Sequence, residues 1–315
     1  MLSRRLLRIK VIKSVYAHLQ CRYEDIAISE KNLIASIDKA YDLYFKLLAL
    51  APEIVRYAEE RQEIGLNKRL PTQEDLHPNR KFVENRAIAL IAASGTINSF
   101  VKRRSLNWLN CREVVKTLYA SLCRQEFYKK YMASPQRSFG EDVRLLAEFY
   151  ASLLEDGEAG EALDNALEEE SILWSDDLGY TLTMVVRTVK GMKASHADVE
   201  TLPKFKSEDD LAFAKTLLRK SIADFDHNKS LIDRYTSNWD VERVALMDSI
   251  ILDVAITEAE TFPSIPVKVT LNEYIDIAKY YSTSSSGNFI NGVLDKVTET
   301  LAGEGKIRKT GKGLL

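Results

Sequence analysis

Apolar side chains return every third or fourth position along most of this chain, the spacing of helices that bury one face. Leu6, Ile9, Ile12, Tyr16 and Leu19 predict a helix over 4–20 whose opposite side is basic. EKNLIASIDKAYDLYFKLLAL, 30–50, predicts a second helix ended near Pro52. The polar stretch 65–81, GLNKRLPTQEDLHPNRK, carries Pro71 and Pro78 and reads as an exposed loop. Helical spacing resumes over FVENRAIALIAASGTINSFVKRR, 82–104, and again over 111–134 up to Pro135. After KGMKASHADVETLPKFKSEDD, 190–210, which reads as a linker, four further helical stretches cover 209–239, 241–260, 269–282 and 287–297. No alternating strand pattern competes. FYASLL at 149 and FAKTLL at 213 echo each other, each followed by a tryptophan, Trp174 and Trp239, as a duplicated helical hairpin would be.

Composition agrees with an all-α chain. Only 13 glycines and 7 prolines punctuate 315 residues, too few for a fold of many tight turns, and 45% hydrophobic content is enough for a sizeable core. The net charge of −2 hides a segregated distribution. Arg4, Arg5, Arg8, Lys10, Lys13 and Arg22 all fall before the first acid, Glu24, whereas residues 145–186 carry Asp and Glu without one Lys or Arg. The basic start is an expected nucleic-acid contact, and the acidic stretch is expected to avoid one. An organelle transit peptide shares the signature of a basic, acid-free amphipathic start. Cys21, Cys111 and Cys123 lack C-x-x-C spacing, so neither a disulfide framework nor a zinc site is indicated. The longest apolar run, AIALIAA at 87–93, is too short to span a bilayer, and a cytoplasmic protein without membrane partners is expected.

Templates for catalysis are empty. His18, His77, His196 and His227 form no metal-ligand pair, and there is no phosphate-binding glycine loop or nucleophile elbow. The expectation is a protein without enzymatic activity, metal or cofactor. What remains is a binding constellation. From Pro263 to Val297 an extended entry is followed by a helix, the serine-rich TSSSG, and GNFINGVLDKV, in which Asn291 and Gly292 interrupt a helical apolar stripe. Hydroxyls at a helix start suit N-caps and phosphate.

Here the chain resembles a known family. IPVKVTLNEYIDIAK followed by FINGVLDK is similar to the signature of NusB, the transcription antitermination factor. NWDVERVALMDSIILDVAITE and RRLLRIKVIKSVYAHLQ resemble the helix before that signature and the basic first helix of the family. The resemblance implies a non-catalytic all-helical domain. It would bind the boxA element of single-stranded RNA together with the ribosomal protein NusE, in the RNA polymerase complex with other Nus factors that reads through ribosomal RNA operons. Carried over position by position, it implies RNA contacts at Arg4, Arg5, Arg8, Tyr16, Lys279, Phe289 and Asn291, and a NusE contact at Asp248. Asn272 and Glu273 match motif positions of structural character. Gly292 is expected at a close helix crossing, with Phe289 offering a stacking face. Where the family has basic residues, Ser249 and Asp253 stand, which puts part of the RNA surface in question.

The expected architecture is an all-α, NusB-like helical bundle, discontinuous in sequence, with an inserted helical region. Residues 1–24 supply the basic arm and first helix, 25–204 the insertion with its acidic lobe, 205–302 the rest of the bundle, and 303–315 a basic tail whose KIRKTGK would extend the electrostatic track. Two other readings stand beside it: a protein-interaction scaffold that kept the fold without RNA binding, and an accessory domain of an RNA methyltransferase.

Overall fold

The computed structural model describes residues 1–155, 157–236, 245–282 and 286–314. Among these residues the regular structure is helical. The first helices are α1 (Arg4–Cys21), α2 (Ile26–Leu48), α3 (Leu50–Leu66), α4 (Gln73–Leu76) and α5 (Arg86–Ala93). They are followed by α6 (Gly95–Arg104), α7 (Arg112–Arg124), α8 (Glu126–Ala133), α9 (Phe139–Ser152) and α10 (Gly157–Glu170). The series ends with α11 (Leu178–Lys190), α12 (Asp209–Thr236), α13 (Leu246–Thr261), α14 (Val267–Tyr281) and α15 (Ser286–Gly303). The chain divides into two compact units, one of Leu2–Ile37 with Phe205–Leu315, the other of Met1 with Asp38–Lys204.

The first unit is discontinuous in sequence. Its centre is α13, where every side chain from Ile250 to Ala259 is buried. A helix buried on all sides needs neighbours on all sides, and α1, α12, α14 and α15 surround it. Ser3 starts α1 by accepting a hydrogen bond from the Leu6 amide at 3.3 Å. The apolar stripe of α15, Phe289, Ile290, Val293, Leu294, Val297 and Leu301, faces inward. The chain after α15 folds back instead of trailing away. Ile307 is buried, and Lys309 Nζ donates to the carbonyls of Ala259 at 2.7 Å and Phe262 at 3.1 Å. A lysine there satisfies acceptors at the C-terminal end of α13, so this cation of the tail serves the fold.

In the second unit, α3, α5, α7, α9, α10 and α11 enclose a core that includes Tyr150, Trp108 and Trp174. Lys46 is buried with them. Its Nζ donates to the Asn107 carbonyl at 2.9 Å, pairs with Glu170, and lies 4.5 Å from the centre of the Trp108 ring. The cation is tolerated because it is paired, hydrogen-bonded and in contact with an aromatic face.

Several elements differ from the sequence expectation, each for a local reason. The stretch 82–104 breaks at Ser94, whose backbone is extended and whose hydroxyl accepts from the Ile97 amide, ending α5 and starting α6. The second helix ends at Leu48, near Pro52 as expected, but a further helix follows at once, with Pro52 in the first turn of α3, where no amide donor is required. The stretch 65–81 holds the short α4, started by a reciprocal cap between Thr72 and Asp75. FYASLL falls at the end of α9 and FAKTLL near the start of α12, so the two echoes are not equivalent in structure. Trp239 lies outside the described residues.

Candidate functional site

The three arginines at the start of α1 are answered one by one by carboxylates from far along the chain. Arg4 Nε reaches Asp210 Oδ1 at 3.1 Å. Arg5 grips Glu273 with Nε at 2.8 Å and Nη2 at 3.0 Å, and its Nη2 also reaches Asp276 Oδ2 at 3.2 Å. Arg8, only 4% exposed, makes a bidentate pair with Glu258 at 2.7 and 2.8 Å. Glu258 accepts two further bonds, from Thr270 Oγ1 and Tyr274 OH, each at 2.9 Å. Burial alone would depress the Arg8 pKa, but the hydrogen bonds and charge of Glu258 outweigh it and the guanidinium is held charged. The same burial, reinforced by Glu258, pushes the Tyr274 phenol well up. Glu273 therefore takes part in the arginine ladder, whereas Asn272 is exposed.

An edge with aromatic and cationic groups forms where α1 meets the end of α14. Lys13 Nζ lies 5.0 Å from the centre of the Tyr281 ring. Tyr16, one turn along α1, is 38% exposed, and Tyr280 is 84% exposed. Lys279 is exposed too, and its ammonium donates to Asp276 Oδ1 at 2.9 Å. The Lys279 stem passes over the start of α15: its Cγ would lie 3.5 Å from a Cβ placed on Gly287. Asn291, one turn beyond Gly287, is exposed. The hydrogen bond from Lys279, with the nearby Arg5, holds the Asp276 carboxyl below its ordinary pKa.

Of the expected residues, Tyr16, Lys279 and Asn291 are exposed, with Lys279 over the start of α15 and Asn291 one turn beyond, and the others are engaged within the fold. Arg8 is part of the interior, and Arg4 and Arg5 are engaged with acids of their own unit. Phe289 is 9% exposed and belongs to the apolar stripe of α15, not to an open stacking face. Asp248 is 6% exposed, and its Oδ2 accepts from Ser286 Oγ at 2.9 Å, tying the start of α13 to the start of α15. Gly292 is not at a close crossing: nothing lies within 4 Å of a Cβ built there. Of the two departures from the family pattern, Ser249 is half-buried and Asp253 fully buried, so Asp253 changes the core and not a surface. Thr283, Ser284 and Ser285 of the anticipated hydroxyl cradle lie outside the described residues. Sequence reasoning missed Tyr280 and Tyr281 as an edge. The available signal is their place at the end of the α14 pattern, directly after Lys279 and beyond the buried Ile277 and Ala278.

Residues 181–299 match the NusB family. This part of the chain is NusB-like. It begins within α11 and runs into the last turns of α15, and the rest of the chain is additional to it. Three proteins named transcription antitermination protein NusB are similar to it. The one from Salinibacter ruber is 39% identical over 103 residues, which is 33% of this chain and 64% of that protein. The Chloroherpeton thalassium protein is 38% identical over 84 residues, covering 27% of this chain and 40% of its own. For the Thermodesulfovibrio yellowstonii protein the figures are 37% over 94 residues, 30% and 62%. The chain therefore spans less than two thirds of the length of each of these relatives. Among solved structures, T. maritima NusB aligns over 52% of this chain and 93% of its own, at 24% identity and a TM-score of 0.30. No helix among the described residues is long and apolar enough to cross a membrane.

Proposed function

We propose that the NusB-like region binds a boxA-type single-stranded RNA element together with the ribosomal protein NusE, acting in antitermination of ribosomal RNA transcription within the polymerase complex. The observation that carries this reading is the family match across residues 181–299. The local chemistry of the edge agrees with it. The Tyr281 ring stands beside the ammonium of Lys13, and Tyr16, Tyr280 and Lys279 are exposed, the combination of stacking platforms and cations that suits unpaired RNA. Asn291 supplies an amide for a base edge. The role is one of binding, not catalysis.

The alternative is an interaction scaffold of the same fold without RNA binding. The specific observation favouring it is that Arg4, Arg5 and Arg8 are all paired within the unit. RNA titration separates the two. Tyr280→Ala should weaken binding by about 1 to 3 kcal/mol with little change in salt dependence. Lys279→Ala should lower the slope of log K against log salt by about 0.7. If the parent protein captures NusE yet shows no salt-dependent affinity for boxA-type RNA, the scaffold reading replaces this one.

A further inference from the structure

Two turns in the unit of residues 38–204 carry apolar tips into solvent, and both are stapled to one buried lysine. The first is Asn107–Leu109, where Leu109 is 66% exposed. The second follows α10, where Ile172 is 71% and Leu173 42% exposed. Lys46 Nζ holds the Asn107 carbonyl of one turn at 2.9 Å and pairs with Glu170 of the other. Each turn is also anchored by a buried tryptophan beside its tip. Trp108 Nε1 donates to the Lys46 carbonyl at 2.9 Å, and Trp174 Nε1 to the Lys39 carbonyl at 2.8 Å. A further sign that the turns adjoin is Cys111, whose thiol is pushed up by burial and feels the charges of Lys46, Glu170 and Glu169.

Held in this way, the tips have lost their freedom before any partner arrives, which lowers the entropy a partner must overcome. On the side of the second turn the rim is acidic, whereas Leu109 shares a surface pocket with Arg56 and Arg112, each paired with a glutamate, Glu53 and Glu60. Glu168 and Glu169 immediately precede the second turn and are both exposed, and neither makes an ion pair among the described residues. The arginines near Leu109 are balanced by their partners, so Glu168 and Glu169 leave the apolar tips with a net negative edge, which suits a cation-rich polypeptide that carries its own apolar anchor.

We propose that Leu109, Ile172 and Leu173, with Glu168 and Glu169 at their edge, form a docking surface for a basic protein segment of amphipathic character, such as the cationic extension of a nucleic-acid-binding protein. The surface is separate from the RNA-binding reading above and does not depend on it.

The test uses the full chain and two labelled probes of equal charge, a short helical peptide of lysine and leucine and its lysine–serine counterpart, followed by fluorescence anisotropy. The lysine–leucine peptide should bind and the lysine–serine peptide should bind at least about tenfold more weakly. Ile172→Ser with Leu173→Ser should remove that preference. Glu168→Gln with Glu169→Gln should weaken both peptides and flatten their salt dependence. All five substituted positions, with Leu109→Ser as an independent check on the other turn, are solvent-exposed, and circular dichroism of each variant establishes that the fold is kept. Absence of binding to either peptide, or binding indifferent to these substitutions, overturns the proposal. Concentration-dependent self-association that Ile172→Ser abolishes would assign the surface to a second copy of the chain and would likewise overturn it.

Discussion

Arg8 and Glu258, 250 residues apart in sequence, meet in a buried bidentate pair with nitrogen–oxygen distances of 2.7 and 2.8 Å. Glu258 accepts four hydrogen bonds, from Arg8 twice, Thr270 and Tyr274, so every lone pair it presents to the interior is met. Removing one partner from such a set leaves a charge that water cannot reach. Arg8→Ala is expected to lower unfolding stability by about 3 to 5 kcal/mol, and replacing the pair together, Arg8→Met with Glu258→Leu, by clearly less. Urea denaturation of the three proteins measures it. Equal losses in the single and double variants would contradict the account.

Asp276 sits between two exposed cations. Its Oδ2 holds Arg5 at 3.2 Å and its Oδ1 holds Lys279 at 2.9 Å. If those cations meet phosphate in the bound state, the carboxylate competes with the RNA for them. Asp276→Asn should therefore tighten RNA binding about fivefold, corresponding to about 1 kcal/mol for one exposed charge at contact distance, and steepen the salt dependence. Weaker or unchanged binding by a parent protein that does bind RNA would assign Arg5 and Lys279 to the fold alone.

Asp253 is buried with no exposed surface, receives one bond from Asn228 Nδ2 at 2.8 Å, and its Oδ2 has no partner. Burial pushes its pKa up to about 8, partly offset by the Asn228 bond. The sign follows from proton binding: the folded state keeps a proton that the unfolded state, with a pKa near 3.9, releases earlier. Stability is accordingly greatest below pH ~4 for this group, falls as pH rises towards about 8, and then levels off, with an upper bound on the order of 5 kcal/mol. Asp253→Asn should match the parent at low pH and exceed it increasingly up to pH ~8. Denaturation midpoints collected across this range decide the matter, and a stability difference independent of pH would refute it.

Gly292 lies on α15 with open space where a side chain would begin. Gly292→Ala is expected to raise the melting temperature, by an amount equivalent to roughly 0.5 to 1 kcal/mol, through helix propensity alone. A drop in RNA or partner affinity in the same variant would show that the missing side chain serves a bound molecule; a drop in stability would restore the close crossing that the sequence suggested.

Much of the helical frame was legible because its signals are local. The stripe of Phe289, Ile290, Val293, Leu294 and Val297 reads directly as a buried helix face, and it is buried. The mistaken inference was to take Phe289 out of that stripe. The arginines of α1 mislead for a different reason: their partners, Asp210, Glu258, Glu273 and Asp276, are more than two hundred residues away, and a run of charge read along the chain does not reveal neighbours brought by folding. Asp253 reads as a surface change because its family counterpart is basic, whereas α13 is enclosed on every side. The helix break at Ser94 depends on one cap that an unbroken apolar pattern conceals.

Because the unit of Leu2–Ile37 is completed only by Phe205–Leu315, its folding is tied to the order of synthesis. When α1 leaves the ribosome, the helices it packs against do not yet exist, and its buried guanidinium has no carboxylate to meet until α13 follows. Asp38–Lys204 is already complete by then, which favours its folding first as translation proceeds. Through that interval α1 waits as an exposed, cationic, half-apolar segment. It is the part of the nascent chain with most to gain from a chaperone, and a ribosome stalled before Glu258 would hold it there.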